Sequence, residues 1–159
     1  MLKTKWIVII VLTAMFGSWS MFSLGSETSA DSAHVLGLFF GRTKGPYDTE
    51  NTWGLEYEYK FDNQLGAGIV VEETSDGHHG DGVQVYIASF YYHADNWRFG
   101  LGFGKEKVDS MPSHSESLKR LSISYDFHLG SFGLAPTFTF DRVAGENIKV
   151  WGLTLMKSF

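Results

Sequence analysis

From residue 34 onward, apolar and polar residues take turns along the chain. In Thr52–Phe61, Trp53, Leu55, Tyr57, Tyr59 and Phe61 share one parity, and Thr52, Gly54, Glu56, Glu58 and Lys60 share the other. Trp97, Phe99, Leu101 and Phe103 stand against Arg98, Gly100, Gly102, Gly104 and Glu106; Leu121, Ile123, Tyr125, Phe127 and Leu129 stand against Arg120, Ser122, Ser124, Asp126 and His128. Phe132, Leu134, Phe138 and Phe140 oppose Gly133, Ala135, Thr137, Thr139 and Asp141. A period of two is the signature of a strand with chemically different faces, and no stretch here sustains a helical period. The pattern predicts eight strands: His34–Arg42, Thr52–Phe61, Leu65–Glu73, Val83–His93, Trp97–Val108, Leu118–Leu129, Phe132–Val143 and Ile148–Phe159. The first strand, and the fourth with its apolar residues on both parities, cannot be phased this way.

The connections predict an up-and-down arrangement. Asp62–Gln64, Ala94–Asn96 and Gly130–Ser131 read as tight turns, and Thr43–Asn51, Thr74–Gly82, Asp109–Ser117 and Ala144–Asn147 as longer or more polar loops. A soluble eight-stranded barrel would turn its apolar set inward around a ligand, whereas a membrane barrel turns it outward. Three features favour outward. Aromatics gather at both ends of the strands: Phe40, Trp53, Phe140 and Trp151 toward the loops, and Tyr59, Phe61, Trp97, Phe127, Phe132 and Phe159 toward the turns. Such paired girdles suit two membrane interfaces. The polar set is rich in glycine and small residues, as a narrow packed interior requires. The last strand carries Trp151, Leu153, Leu155 and a terminal Phe159 on one face. The expected fold class is therefore all-β, an eight-stranded antiparallel transmembrane β-barrel.

Composition narrows the function classes. The 159 residues include no cysteine, which excludes disulfides and thiolate metal sites. A formal charge of −5 argues against a nucleic-acid partner. At the N-terminus, Lys3 and Lys5 precede an apolar run from Trp6 to Phe16, and Thr28-Ser29-Ala30 supplies small residues. That is the layout of a secretory signal. Residues 1–30 are expected to be a signal peptide and 31–159 the barrel domain; removal of two lysines and Glu27 moves the charge from −5 to −6.

The alternating last strand and its terminal aromatic resemble the C-terminal assembly signal of outer-membrane barrel proteins. The eight-strand rhythm over residues 31–159 resembles the small-barrel group that includes the outer-membrane protein A transmembrane domain. Asp126-Phe127-His128 before a tight turn is similar to uncharacterised small barrels of Gram-negative bacteria. The resemblance implies a cell outer-membrane location. It also implies outer-membrane lipid and lipopolysaccharide as surroundings, and the barrel assembly machinery as a partner through the C-terminal strand. Two residues depart from the pattern. Lys157 sits in the lipid-facing series, where its stem can lie along apolar surface, and Pro136 sits mid-strand, where a bulge is expected.

Residues able to do chemistry fall into three groups. The interior set holds Glu56, Glu58, Glu72, Glu106, Asp126 and Asp141 against Lys60, Arg98, Arg120 and His128. A salt-bridged plug is the expectation, and a narrow ion or proton channel the alternative. His78, His79 and Asp81 are metal-ligating types, but adjacent histidines beside glycines are ordinarily solvated turn residues, so neither metal nor cofactor is expected. His114, Ser115 and Glu116 are the residue types of a hydrolase triad, and outer-membrane lipid A deacylases are small barrels using such types near the outer rim. Their His-x-Ser spacing is not reproduced here. The expectation is a non-enzymatic structural or interaction barrel with four surface loops, with a lipid A-modifying hydrolase and a narrow channel as alternatives.

Overall fold

The computed structural model describes residues 33–46, 48–78, 81–108 and 113–159, with the backbone alone at 76–78 and 81. The expected signal peptide lies outside the described residues. Among those described, every regular element is a strand: β1 (His34–Lys44), β2 (Thr49–Lys60), β3 (Leu65–His78), β4 (Asp81–Ala94), β5 (Trp97–Val108), β6 (His114–Tyr125), β7 (Phe127–Leu129), β8 (Phe132–Val143) and β9 (Glu146–Ser158). β6 and β7 are one barrel stave interrupted at Asp126, so the staves number eight. Each stave pairs antiparallel with its chain neighbour. β9 returns to β1, from Val35 opposite Ser158 to Lys44 opposite Lys149, which closes the barrel.

The apolar parity faces outward. Leu101 is 52%, Leu121 60%, Ile69 58% and Phe90 61% exposed, while Arg98 and Arg120 are each 6% exposed on the other face. A water-soluble barrel would not solvate such a belt and bury its arginines, and a lipid-embedded one must. The two unphased strands are fixed by the same test. In β1, Val35 and Phe39 are buried in the lumen and Phe40 is exposed. In β4, Val83, Val85, Ile87, Ser89 and Tyr91 point in, whereas Tyr86, Phe90 and Tyr92 point out. The girdle residues Tyr59, Phe61, Trp97, Phe127, Phe132 and Phe159 are exposed at the turn rim, as are Phe40, Phe140 and Trp151 toward the loop rim; Trp53 is half-buried.

Two expectations are corrected. The loops are shorter than the polar stretches suggested. Ladders continue to Lys44 opposite Thr49, Val108 opposite His114 and Val143 opposite Glu146, and, past a shift of register after Thr74, to His78 opposite Asp81. Ala144–Gly145 is a two-residue turn with both residues at positive φ (49° and 91°), the geometry that matches strand twist in a tight hairpin. The outward apolar alternation stops where lipid stops, but once strands are aligned the ladder runs on through Thr43, Thr49 and Thr74.

Pro136 does not sit in a bulge. It stays in register opposite Leu153, and on its other side Ser124 pairs Thr137 before the break and Phe127 pairs Leu134 after it, with equal numbers of residues between. The proline has no N–H to offer, and the ladder is interrupted without an insertion. The Asp126 N–H is satisfied from the other neighbour, by the Asn96 carbonyl at 2.8 Å.

Interior glycines make room for large neighbours. The Phe39 ring lies against Gly41 and Gly152, where β1 and β9 meet. A Cβ at Gly152 would stand 2.2 Å from the Phe40 carbonyl oxygen and 2.5 Å from the Gly41 Cα. Gly152→Ala is therefore expected to lower barrel stability by about 1–3 kcal/mol, the usual cost of overpacking. Gly82→Ala, which meets nothing within 4 Å, should leave it unchanged. Thermal melts of both variants in detergent check this, and equal melting of the two would show that the β1–β9 seam has slack.

Candidate functional site

The charged interior forms two crossbars. Arg98 on β5 reaches across the lumen to β2. Its two terminal nitrogens donate to the two Glu56 oxygens, one of these contacts at 3.2 Å, and one nitrogen also reaches Glu58 Oε2 at 3.3 Å. Its Nε donates to Ser124 Oγ at 3.2 Å, and its guanidinium lies 4.9 Å from the centre of the Tyr91 ring. Glu58, 1% exposed, holds His93 Nε2 at 2.6 Å with its other oxygen. Alternation alone put Glu56, Glu58 and Arg98 on the inner face; His93 joins them only through the fold.

Arg120 on β6 makes the second crossbar. Nε and one terminal nitrogen donate to Asp141 at 2.7 and 2.6 Å; two terminal nitrogens donate to Glu72 at 2.5 and 2.7 Å. Asp141 is its cross-strand partner on β8, whereas Glu72 comes from β3 on the far wall. One guanidinium is thus gripped by two forked carboxylates, the geometry in which its fixed donors are best used.

The remaining members of the interior set lie at the rims. At the turn rim, Lys60, His93, Asp126 and His128 line a cavity of about 80 Å³. Asp126 Oδ2 stands 3.2 Å from His128 Nε2, and Asp126 Oδ1, folded over Gly133, has no hydrogen-bond partner among the described residues. At the loop rim, a cavity of about 250 Å³ has Val83, Val85, Val108, Val143 and Val150 as walls and Glu106, His114, Glu116 and Glu146 at its edge. Glu106 shares this cavity with Glu72 and Asp141 of the second crossbar. A third space of about 30 Å³ between the arginines is lined by Phe39, Tyr91, Arg98 and Arg120, room for little more than a water.

This apolar upper lumen was not expected. Val70, Val83, Val85, Ile87, Val108, Leu118 and Val143 form one buried cluster. Its signal was present in β4, whose second apolar parity is explained by an interior that is itself apolar at this height.

The candidate triad is not assembled. His114 and Glu116 edge the loop-rim cavity, and Ser115, between them in the strand, projects to the opposite face. Of the metal candidates, His78 and Asp81 are paired backbone positions of the β3–β4 hairpin, and His79 lies outside the described residues. No group of three or more metal-ligating side chains occurs among the described residues.

A closed eight-stave barrel with an apolar, aromatic exterior and a charged, packed core defines a class: the protein is a small outer-membrane β-barrel. Solved structures to which it is similar include small barrels of this kind. The attachment invasion locus protein Ail of Yersinia pestis superposes with a TM-score of 0.52 at 18% identity, over 80% of this chain and 97% of Ail. The N-terminal β-barrel domain of Pseudomonas aeruginosa OprF gives 0.59 at 12% identity, over 80% and 98%. The outer membrane enzyme PagL gives 0.53 at 13%, over 79% and 99%. No protein-family model and no curated protein matches the sequence.

Proposed function

We propose that this protein is a non-enzymatic structural or interaction barrel, exported by the N-terminal signal and assembled through its C-terminal strand, whose lumen is a plug. The observation that carries the reading is the doubly forked Arg120. Glu72 and Asp141 line the loop-rim cavity, Arg120 and Arg98 line the middle space, and Arg98 also lines the turn-rim cavity. Each crossbar therefore stands between neighbouring cavities. An ion crossing the lumen would have to break buried, charge-assisted hydrogen bonds twice. The separation of Ser115 from His114 and Glu116 supports the non-enzymatic half of the reading. The short hairpins support interactions through the strand walls and hairpin tips.

The purified barrel in planar bilayers is expected to show no unitary conductance steps, and cells expressing it should retain an unaltered lipid A acyl pattern by mass spectrometry. Reproducible conductance would replace the plug with a channel, and loss of an acyl chain would replace the whole reading with a hydrolase.

A further inference from the structure

On the outer wall, the charges are sorted. On each stave, the first outward residue beyond the apolar band on the loop side can be read by stepping two positions past the last apolar one. On β1 this step runs from Phe40 to Arg42, on β5 from Phe103 to Lys105, on β6 from Leu121 to Lys119, on β8 from Phe140 to Arg142, and on β9 from Trp151 to Lys149. All five cations are exposed, and the five staves are consecutive around the barrel in the order β5-β6-β8-β9-β1. On the remaining three staves the same position holds Asn51, Glu73 and Gln84. Lys44 and Lys107 add a second, higher tier on two of the five.

The belt is built against its own repulsion. Lys119 stands directly opposite Arg142, and Lys44 directly opposite Lys149. Like charges facing each other across a ladder destabilise it. Two aligned pairs on one arc make sense if an anion sits between the partners. Their place just beyond the lipid-facing band puts them at the headgroup level of the leaflet on the loop side, the outer leaflet in this class. Lys149 already lies over the Phe140 ring, 5.6 Å from its centre, so its stem is anchored on the girdle and its ammonium is presented at that level.

We propose that this five-stave arc is a binding surface for the phosphates of a doubly phosphorylated outer-leaflet glycolipid, the lipid A head of lipopolysaccharide. A head with two phosphates neutralises a cation pair while its acyl chains cover the aromatic band below. A singly charged phospholipid satisfies one member of a pair at a time. The inference does not depend on whether the lumen conducts.

The test uses the folded barrel in nanodiscs of phosphatidylcholine, of phosphatidylglycerol, and of phosphatidylcholine doped with lipid A. Wild type should melt highest with lipid A. Lys119→Gln/Arg142→Gln should lose lipid A affinity by on the order of tenfold, the scale expected for two basic contacts near an anionic surface. In pure phosphatidylcholine the same double variant should melt no lower than wild type, since a repulsive pair has gone, and this guards against a folding defect. Lys157→Gln, a cation at the turn rim, should behave as wild type throughout. Undiminished lipid A binding by the double variant would overturn the proposal, as would equal stabilisation of wild type by phosphatidylglycerol. A lower melting point of the double variant in phosphatidylcholine would also overturn it, because the pair would then be a structural contact.

Discussion

Arg120→Ala is expected to destabilise the barrel by about 3–5 kcal/mol, the usual consequence of removing one side of a buried ion pair. The cost arises from what remains. Glu72 and Asp141, 7% and 4% exposed, would keep their charge in the lumen without the guanidinium that now donates to all four of their oxygens. The same logic predicts a rescue. Adding Glu72→Gln and Asp141→Asn to Arg120→Ala removes the orphaned charges while keeping side-chain shape, and most of the lost stability should return. Equilibrium unfolding in detergent or lipid distinguishes the cases. A single variant that unfolds like wild type, or a triple variant no better than the single, would mean that water reaches these carboxylates and that the lumen is wet.

Leu101→Arg should cost about 2–4 kcal/mol, the penalty for a cation at the midplane of a barrel's lipid face. Leu101 stands opposite Leu121 and Phe90 on the outward face, far from either rim. Glu116→Arg, inward and exposed at the loop-rim cavity, should assemble close to normally because that mouth is open to water. Neighbouring Gly102 is no neutral comparison, since a Cβ there would stand 2.6 Å from Ile87 Cγ2. Heat-dependent gel migration after refolding into vesicles reads the difference. Normal assembly of Leu101→Arg beside failure of Glu116→Arg would show the faces to be reversed.

Much of this architecture was legible in the sequence because two solvents act on alternate residues. A strand between lipid and a packed lumen must change character at every step, so Trp97–Phe103 and Leu121–Leu129 expose both the strand and its faces. The signal fails wherever the two sides are alike. β4 looks apolar on both parities because its inner residues Val83, Val85 and Ile87 belong to the lumen's own apolar cluster. It fails again above the membrane, where water wets both sides and polar strand is indistinguishable from loop. That is why Thr49–Asn51 and His114–Ser117 read as loop and fold as ladder. At Pro136, sequence rules foresee a disturbance but not its form, and the fixed register on both sides leaves no place for an extra residue.

The sequence by itself determined the number of staves, their order, the outward parity of most of them, and which charged residues the phased ones turn inward. Only closure of the barrel decided which charges meet. Arg120 and Asp141 are neighbours on adjacent staves, but Glu72 reaches Arg120 from the far wall, as Glu56 and Glu58 reach Arg98. Such pairings depend on the strand tilt and stagger that bring distant staves to the same height, a quantity no local pattern encodes. The outer cations follow the same rule. Five separate steps from an apolar residue to Arg or Lys lie scattered from Arg42 to Lys149 in sequence. They become one surface only because β9 returns to β1 and places their staves side by side.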